Sequence, residues 1–469
     1  MRMPEIRFDE KFECVGRWMF GRVNGVGRLT YDPVEGLHLN LSAPVRAMQY
    51  EVAAGLRPIT VTGVTFQPFR RKVTLFDCYF YGPRARQGTE AQATLVVNRA
   101  VFGEHLPNGE IREILSADIT LTGINEWASP SLSILDVEPS GPISEAEWYR
   151  VSLARSLKKY TIMEEEAKIA LSFGMVGRHI GSRVVLEGEG TFTIEPKKPI
   201  QLDSLLSEFV RPLENFITFA TGKINSLRTF TLSCAADGGE GTSLAILFPP
   251  LQAKSRRAQW LFEPRGLFSL LDVSDKLEAH LSAWLKLYRR YRSVCDLLFH
   301  TLYNDQYLEA RFLWLVQIIE GYHRLRTDLR QFQLPANEYD ALKANIMASV
   351  GPADHRRVIK HALRYANDVS LPTRLHELTT RFAHLIPDVL LPEERKHFPQ
   401  HCAKIRNAMA HHLPGERGDE AENLYRYSEF ILRLLIVGLM LETGFSEAAV
   451  RRALLRGASI SPEQALPTT

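Results

Sequence analysis

A change of hydrophobic period near residue 270 constrains the fold more than any other feature of this sequence. Before about residue 140, short segments rich in Val, Thr, Phe and Tyr are separated by turn residues, as at Asp32-Pro33 and Gly82-Pro83, which is typical of strands. From about Val273 onwards, apolar residues recur three and four positions apart over long runs, which is typical of helices. This segregation predicts an α+β protein in which a β-rich, sandwich- or barrel-like N-terminal region precedes an all-α bundle.

The β-rich region is predicted to span residues 1–140 and to end at the turn sequence Pro139-Ser140-Gly141-Pro142. Each predicted strand is short and is followed by residues that favour a turn. The strands are Cys14–Val23, Gly27–Tyr31, Leu37–Leu41, Ile59–Phe69, Val73–Tyr81, Ala93–Val97 and Ile114–Leu121.

Residues 141–250 mix both kinds of pattern. Arg155–Phe173 and Arg183–Ile194 are predicted as two longer strands, Leu202–Thr221 as a helix and Ser226–Ser233 as a further strand. This segment is either a small α+β unit of its own or the completion of the first domain. Residues 251–469 are predicted to form the helical domain.

Long runs at helical spacing follow one another through the last part of the chain, often with a Pro at their start. They predict an all-α bundle. The predicted helices are Ser282–His300, Tyr303–Leu329, Ala336–Val350, Pro352–Val369, Pro372–Ile386, Pro392–His412, Glu420–Thr443 and Ser446–Gly457.

Composition excludes several classes of protein. The five cysteines are scattered without C-x-x-C spacing, which indicates reduced thiols and neither a disulfide framework nor a zinc site. The N-terminus lacks an apolar signal region, and the longest apolar run, residues 430–441, is interrupted by Arg433 and is too short to span a bilayer. We therefore expect a cytoplasmic protein without a membrane span, and we predict no metal and no cofactor. The net charge of +3 decides nothing about nucleic acid.

The segment most suited to chemistry runs from Lys404 to His412 and is closed by Leu413-Pro414-Gly415. It is predicted to be the end of a helix, because Pro cannot continue the hydrogen-bond ladder and Gly is favoured beyond a helix end. Asn407 and His411 are four residues apart and can share a face. The segment thus offers a permanent cation in Arg406, an amide, and the imidazoles of His411 and His412, at a helix end whose dipole favours a charged imidazole.

A second polar stripe lies on the predicted helix that contains Gln317, Glu320 and Arg324, with His323 beside it. Polar groups on a largely apolar helix need partners, and Arg406 is a candidate partner for Glu320 as a bidentate ion pair. The alternative is an ion pair that only orients two helices. For His323 and Arg324, contact with RNA and a place on the helix surface are both open.

Arg followed by His after four to six residues recurs by chance in a chain rich in both. Arg356 with His361 and Arg395 with His401 show a similar spacing. Neither pair has an Asn after the Arg and a helix stop after the His, so we interpret both as surface residues.

Two segments together, LEARFLWLVQIIEGYHRL at 308–325 and IRNAMAHH at 405–412, resemble the ApeA-like branch of the HEPN superfamily. HEPN ribonucleases carry Arg-x4–6-His with a polar residue after the Arg; Arg406, Asn407 and His411 match this pattern, and His412 fits its looser spacing. The resemblance implies a metal-independent endoribonuclease that acts as a homodimer or a larger even-numbered homo-oligomer in bacterial anti-phage abortive infection. The ApeA-like branch is associated with tRNA cleavage.

The residues suit that chemistry, because RNA carries its own nucleophile in the ribose 2′-OH. Arg406 would hold the phosphoryl oxygens, and His411 would act as general base or acid, with the second imidazole from a dimer partner. Asn407 would orient His411 or bind phosphate, Glu320 would hold Arg406, and His412 would be an accessory acid or a bystander.

Two other functions stay open at this point. One is a catalytically silent HEPN protein that binds RNA or a nucleotide. The other is a signalling or assembly protein whose β-rich region binds a partner while the helices only dimerise. For the N-terminal region, we expect a role in sensing a phage-derived trigger or in gating the site.

Overall fold

The fold is described from a computed structural model of the 469-residue chain. By contacts, the chain divides into two compact units, Met1–Leu285 and Lys286–Thr469. The structure describes residues 6–44, 58–87, 90–106, 111, 113–132, 135–139, 149–153, 159–180, 183–235, 241–249, 266–387, 389–410 and 420–456.

Antiparallel strands dominate the first unit. Twelve of the described strands join one sheet in the order β10-β11-β12-β7-β13-β14-β6-β3-β2-β1-β4-β5, and β8 pairs with β9 separately. The strands are β1 Phe12–Phe20, β2 Val23–Asp32, β3 Gly36–Pro44, β4 Ile59–Gln67, β5 Arg71–Gln87, β6 Glu90–Phe102, β7 Ile114–Leu121, β8 Leu135–Pro139, β9 Tyr149–Leu153, β10 Tyr160–Met163, β11 Ala167–Ile180, β12 Arg183–Pro196, β13 Leu227–Cys234 and β14 Thr242–Leu247.

Six of these strands close into a barrel, because β5 pairs with β6 as well as with β4. Alternate side chains along the strands are buried inside it, which is the period-two pattern of a one-sided strand. Trp18 is fully buried and donates its indole N–H to the carbonyl of Gly27 at 3.0 Å. Gly63 is required opposite this ring, since a Cβ there would lie 2.3 Å from Trp18 Cε3.

The first unit also contains helices. In chain order these helices are α1 Ile124–Leu132, α2 Leu202–Leu205, α3 Arg211–Thr221, α4 Leu270–Val273 and α5 Leu277–Arg290; a π-turn at Leu206–Val210 joins α2 to α3. The boundary between the two units falls within α5, after Leu285. Phe219 stacks on Trp284 of α5 with ring centroids 5.2 Å apart, and the indole of Trp284 donates to the carbonyl of Pro212. These aromatic contacts form the core between α3 and α5.

The second unit is helical. Beyond α5 its helices are α6 Arg292–Tyr303, α7 Leu308–Leu325, α8 Ala336–Ser349, α9 Ala353–Ala362, α10 Leu371–Phe382, α11 Pro392–Ala410, α12 Glu420–Glu442 and α13 Glu447–Leu455. Helices α7 and α12 form the centre, with buried side chains along both. Gly438 allows the close approach, since a Cβ there would lie 2.4 Å from the hydroxyl of Tyr322.

The predicted α+β class and the order of β-rich and helical regions are confirmed. All seven strands predicted before residue 140 are present as β1 to β7, and the predicted Leu202–Thr221 helix is present with its π-turn. The prediction of a single strand at Arg155–Phe173 is wrong. In the part of this range that the structure describes, residues 159–173, the chain forms two strands, β10 and β11. The chain reverses through Glu164, whose N–H donates to the carbonyl of Ala167. Strands from residues 160–247 share one sheet with those before residue 121.

Candidate active site in the helical unit

Helix α11 carries the Arg406 segment, and its first turn is fixed by one carboxylate. Glu394 accepts the backbone N–H of Leu391 at 2.6 Å, which satisfies a donor ahead of the helix start. The same carboxylate accepts both guanidinium nitrogens of Arg426 on α12, at 2.7 and 2.6 Å. The bidentate pair lowers the pKa of Glu394. Helix α11 is therefore tied to α12 at the end opposite Arg406.

Arg406 and Asn407 occupy the last described turn of α11. Arg406 is half-buried and Asn407 is exposed. Arg406 Nη1 donates to the side-chain oxygen of Asn407 at 3.0 Å, so the amide that follows the Arg in sequence holds its guanidinium. The other donors of the guanidinium have no partner among the described residues and can bind an anion. His411 and His412 lie outside the described residues, and so does the helix stop at 413–415.

The predicted ion pair between Glu320 and Arg406 is wrong. Glu320 accepts instead from Arg324, at 3.0 Å to Nη2 and 3.3 Å to Nε. Glu320 and Arg324 are four residues apart on α7, so their side chains are neighbours on one helix face, and the pair forms without any contact from a second helix. Arg324 also meets Asp368 at 3.3 Å, and its side chain is still 48 % exposed. Glu320 and Asp368 therefore hold Arg324 as a half-exposed cation on the helix surface.

His323 is completely buried. It therefore does not lie on the helix surface, which was one of the two interpretations of the sequence. Its burial also excludes the other interpretation, direct contact with RNA, in this arrangement. Its Nδ1 lies 2.8 Å from Arg374 Nη1 and its Nε2 lies 2.8 Å from Glu377 Oε2. Because a guanidinium can only donate, Nδ1 must accept and Nε2 must carry the proton given to Glu377. Burial lowers the pKa of His323, and the charge of Arg374 lowers it further. His323 is thus a neutral imidazole that accepts a hydrogen bond from the buried Arg374 and donates one to the carboxylate of Glu377.

This buried neutral imidazole predicts a loss of stability at mildly acidic pH. An unfolded chain takes up a proton on His323 near its ordinary pKa of 6.5, whereas the folded protein takes it up only at lower pH. The free energy of unfolding should therefore fall as pH drops below about 6.5. Denaturant unfolding from pH 8 to pH 5 measures this, with His323→Gln as the matched variant. Glutamine can accept from Arg374 and donate to Glu377 but does not titrate, so its profile should be flatter in this range. Equal slopes in the two proteins would contradict the assignment.

A second polar cluster next to His323 was not predicted from the sequence. Glu442 Oε1 accepts from the Tyr322 hydroxyl at 2.6 Å and from Arg326 Nη1 at 2.9 Å. Arg326 also forms a bidentate pair with Asp328, at 2.9 and 2.7 Å. Desolvation raises the pKa of Tyr322. The spacing of four between Tyr322 and Arg326, with Asp328 close by in sequence, could have identified these three members of the cluster. Glu442 could not be identified in this way, because it lies on a helix that is distant in sequence.

The other two Arg/His pairs are separate from this site. Arg395 donates to the carbonyls of Leu390 and Ala383 and so ties α11 to the preceding loop. Arg356 is exposed on α9 with His361. The interpretation of Arg356, His361 and His401 as surface residues agrees with their exposure, whereas Arg395 is half-buried.

Comparison with known families assigns both units of the chain. Residues 13–284 match the family described as ApeA N-terminal domain 1, and residues 313–449 match the family described as Apea-like HEPN. Comparison with curated proteins and with solved structures gave no match. Among the described helices, none combines the length and the apolar character that crossing a membrane requires. Since the first match alone covers more than half of the residues, the chain belongs to the ApeA-like family of HEPN proteins.

Proposed function

We propose that this protein is a metal-independent endoribonuclease that cleaves RNA, with tRNA as its favoured substrate, in bacterial anti-phage abortive infection. HEPN domains are generally associated with ribonucleases, and ApeA-like HEPN domains indicate an anti-phage nuclease family. The observation that supports the proposal most is Arg406. It lies at the end of a helix inside the HEPN match, is held on one side by Asn407, and keeps donors available for a phosphate.

Each residue of the motif has a role in this proposal. Arg406 binds the phosphoryl oxygens and stabilises the charge that develops on them. Asn407 fixes the guanidinium, and His411 transfers the proton of the 2′-OH or of the leaving 5′-oxygen. His412 is an accessory acid or a bystander. Arg324, held by Glu320, is a second contact for the RNA backbone, and His323 supports the helix from within.

The reaction needs an acid as well as a base, and the Arg-x4–6-His pattern of one motif supplies a single histidine for these two roles. We therefore propose a homodimer, or a larger even-numbered assembly, in which two motifs face one another. The N-terminal unit is proposed to bind a phage-derived trigger, and the cytoplasm, where tRNA is found, is the proposed location.

The direct test incubates the purified protein with total tRNA in EDTA. We expect fragments that end in a 2′,3′-cyclic phosphate and begin with a 5′-hydroxyl, since the 2′-OH is the nucleophile. An RNA oligonucleotide with one 2′-deoxynucleotide at the cleaved position should resist cleavage there and nowhere else. Cleavage that stops in EDTA, or equal cleavage of the deoxy-substituted oligonucleotide, would contradict the mechanism. Binding of tRNA without cleavage, in the presence of phage lysate as a source of trigger, would favour a catalytically silent HEPN protein.

A further inference from the structure

Helices α8 and α9 form a hairpin that makes little use of the protein core. No side chain of either helix is buried. The hairpin, residues 335–366 and called the arm below, is held mainly at its base, where Phe332 and Asp368 form an antiparallel bridge. Helices of this length are marginal in water without tertiary packing. An arm that is kept on the surface in this way is suited to binding a partner.

The base of the arm is clamped by one buried amide. Asn367 accepts the N–H of Leu334 at 2.8 Å on its side-chain oxygen and donates to the carbonyl of Leu334 at 3.0 Å. Its backbone carbonyl accepts from Gln333 at 2.8 Å. The two helices contact each other through the hydroxyl of Tyr339, which donates to the carbonyl of Leu363. The hydrogen bonds therefore hold the arm at its base, and the side chains of its two helices stay accessible to solvent.

That outer face is strongly basic. Arg356 and Lys360 are four residues apart on α9 and share a face. Arg364 lies in the turn that directly follows the helix, where its backbone N–H donates to the carbonyl of His361. These three exposed cations are called the stripe below. Arg357 and His361 flank the stripe, and Asp354 is the single acidic residue of α9. Within the described part of the chain, Lys360 and Arg364 make no ion pair. The stripe thus presents positive charge that is not neutralised by the protein.

An exposed aromatic side chain ends the stripe. Tyr365 is 63 % exposed, and the guanidinium of Arg364 lies 5.3 Å from the centre of its ring. A tyrosine in this position is poorly explained by folding, because its ring is left in water. Cations along a track with an aromatic ring beside them are the combination that binds single-stranded nucleic acid, through phosphates and base stacking respectively.

We propose that the arm binds single-stranded RNA, with its backbone on Arg356, Lys360 and Arg364 and an unpaired base on Tyr365. The proposal rests on the ribonuclease function above and adds a place where the substrate is held outside the Arg406 site. A second copy of the same arm is a poorer occupant, because a two-fold interface would place like charges against each other.

The experiment measures binding of a fluorescein-labelled 2′-O-methyl oligouridine of roughly 20 nucleotides, by anisotropy, over a series of salt concentrations. This probe lacks the free 2′-OH and cannot be cleaved by the proposed mechanism. Lys360→Glu/Arg364→Glu should weaken binding and reduce the slope of log affinity against log salt by about 1.4, since each lost phosphate contact on a single strand contributes about 0.7. Tyr365→Ala should weaken binding about 5- to 100-fold with the slope unchanged, because stacking releases no counterions.

The matched control is Arg451→Glu/Arg452→Glu on α13, which reverses the same number of exposed charges on a different helix. The control should bind like the wild type. The proposal is overturned if the wild type does not bind the probe, or if the arm variants lose no more affinity than the control. If one of these two binding results is found and the wild type still cleaves tRNA, the arm proposal fails and the ribonuclease proposal stands. Loss of binding in the arm variants, together with no RNA cleavage by the wild type in the presence of phage lysate, would support the arm and refute the ribonuclease.

Discussion

Replacing His411 with alanine is expected to slow RNA cleavage by about 10²- to 10⁴-fold, the contribution of a positioned general acid or base. Arg406→Ala should lose a similar factor, about 10²- to 10³-fold, because the developing phosphoryl charge loses its donors. Arg406→Lys should recover only part of this, since an ammonium keeps the charge but not the planar fork that Asn407 holds in place. Single-turnover cleavage of tRNA in EDTA measures all three.

His401→Ala is the control for these variants. His401 lies on the same helix, is exposed, and has its Nδ1 3.3 Å from the hydroxyl of Tyr427. Its loss should leave the cleavage rate within a small factor of the wild type. Thermal unfolding checks that every variant is folded. Wild-type rates for both His411→Ala and Arg406→Ala would mean that another part of the chain carries the activity.

Glu442→Ala is expected to have the largest effect on stability, lowering the free energy of unfolding by about 3 kcal/mol. Glu442 is the shared acceptor of the buried Tyr322 hydroxyl and of Arg326, whose side chain is only 9 % exposed. Removing it leaves a buried hydroxyl and part of a buried cation without an acceptor. Urea unfolding at neutral pH provides the measurement.

Two further variants locate the source of that loss. Asp354→Ala removes a carboxylate from an ion pair whose partners are both more than four-fifths exposed, and it should leave the unfolding midpoint unchanged. Tyr322→Phe removes only one of the donors to Glu442 and should cost less than Glu442→Ala. A double variant that is no worse than Glu442→Ala alone would show that the hydroxyl acts through this carboxylate. A loss in Glu442→Ala as small as in Asp354→Ala would refute the buried cluster.

Local pattern was sufficient to predict most elements of this fold. The strands β1 to β7 follow from alternation and turn residues, and most helices follow from apolar spacing. The single helix predicted at Ser282–His300 is wrong, because α5 and α6 are separate helices with a non-helical residue, Tyr291, between them. The closure of the barrel could not be predicted, because it depends on β1 pairing with β4 and β3 pairing with β6 across residues 45–57. No local pattern specifies which distant strand is the partner. Strand β14 was missed because Thr242–Leu247 is short and follows a glycine-rich segment of the sequence.

The contacts around the candidate site could be predicted only in part. Arg406 and Asn407 are neighbours on one helix, as the sequence predicted, and their roles in catalysis stay a prediction. The partner of Glu320 was predicted wrongly because a distant partner was preferred to Arg324, which is four residues away on the same helix. The burial of His323 depends on Arg374 and Glu377 of another helix, and sequence spacing carries no information about that contact.

The strand β6 belongs to two structures at once. Its residues 90–97 pair with β3 in the barrel, and its residues 100–102 pair with β14 in the open sheet, while β5 borders it through both parts. The barrel therefore cannot be cut out of this chain as an independent module without leaving one end of β6 as a bare edge, open to pairing with other chains. Amide protons of β6 should exchange with solvent only when barrel and sheet open together, which makes the first unit one cooperative block along this seam.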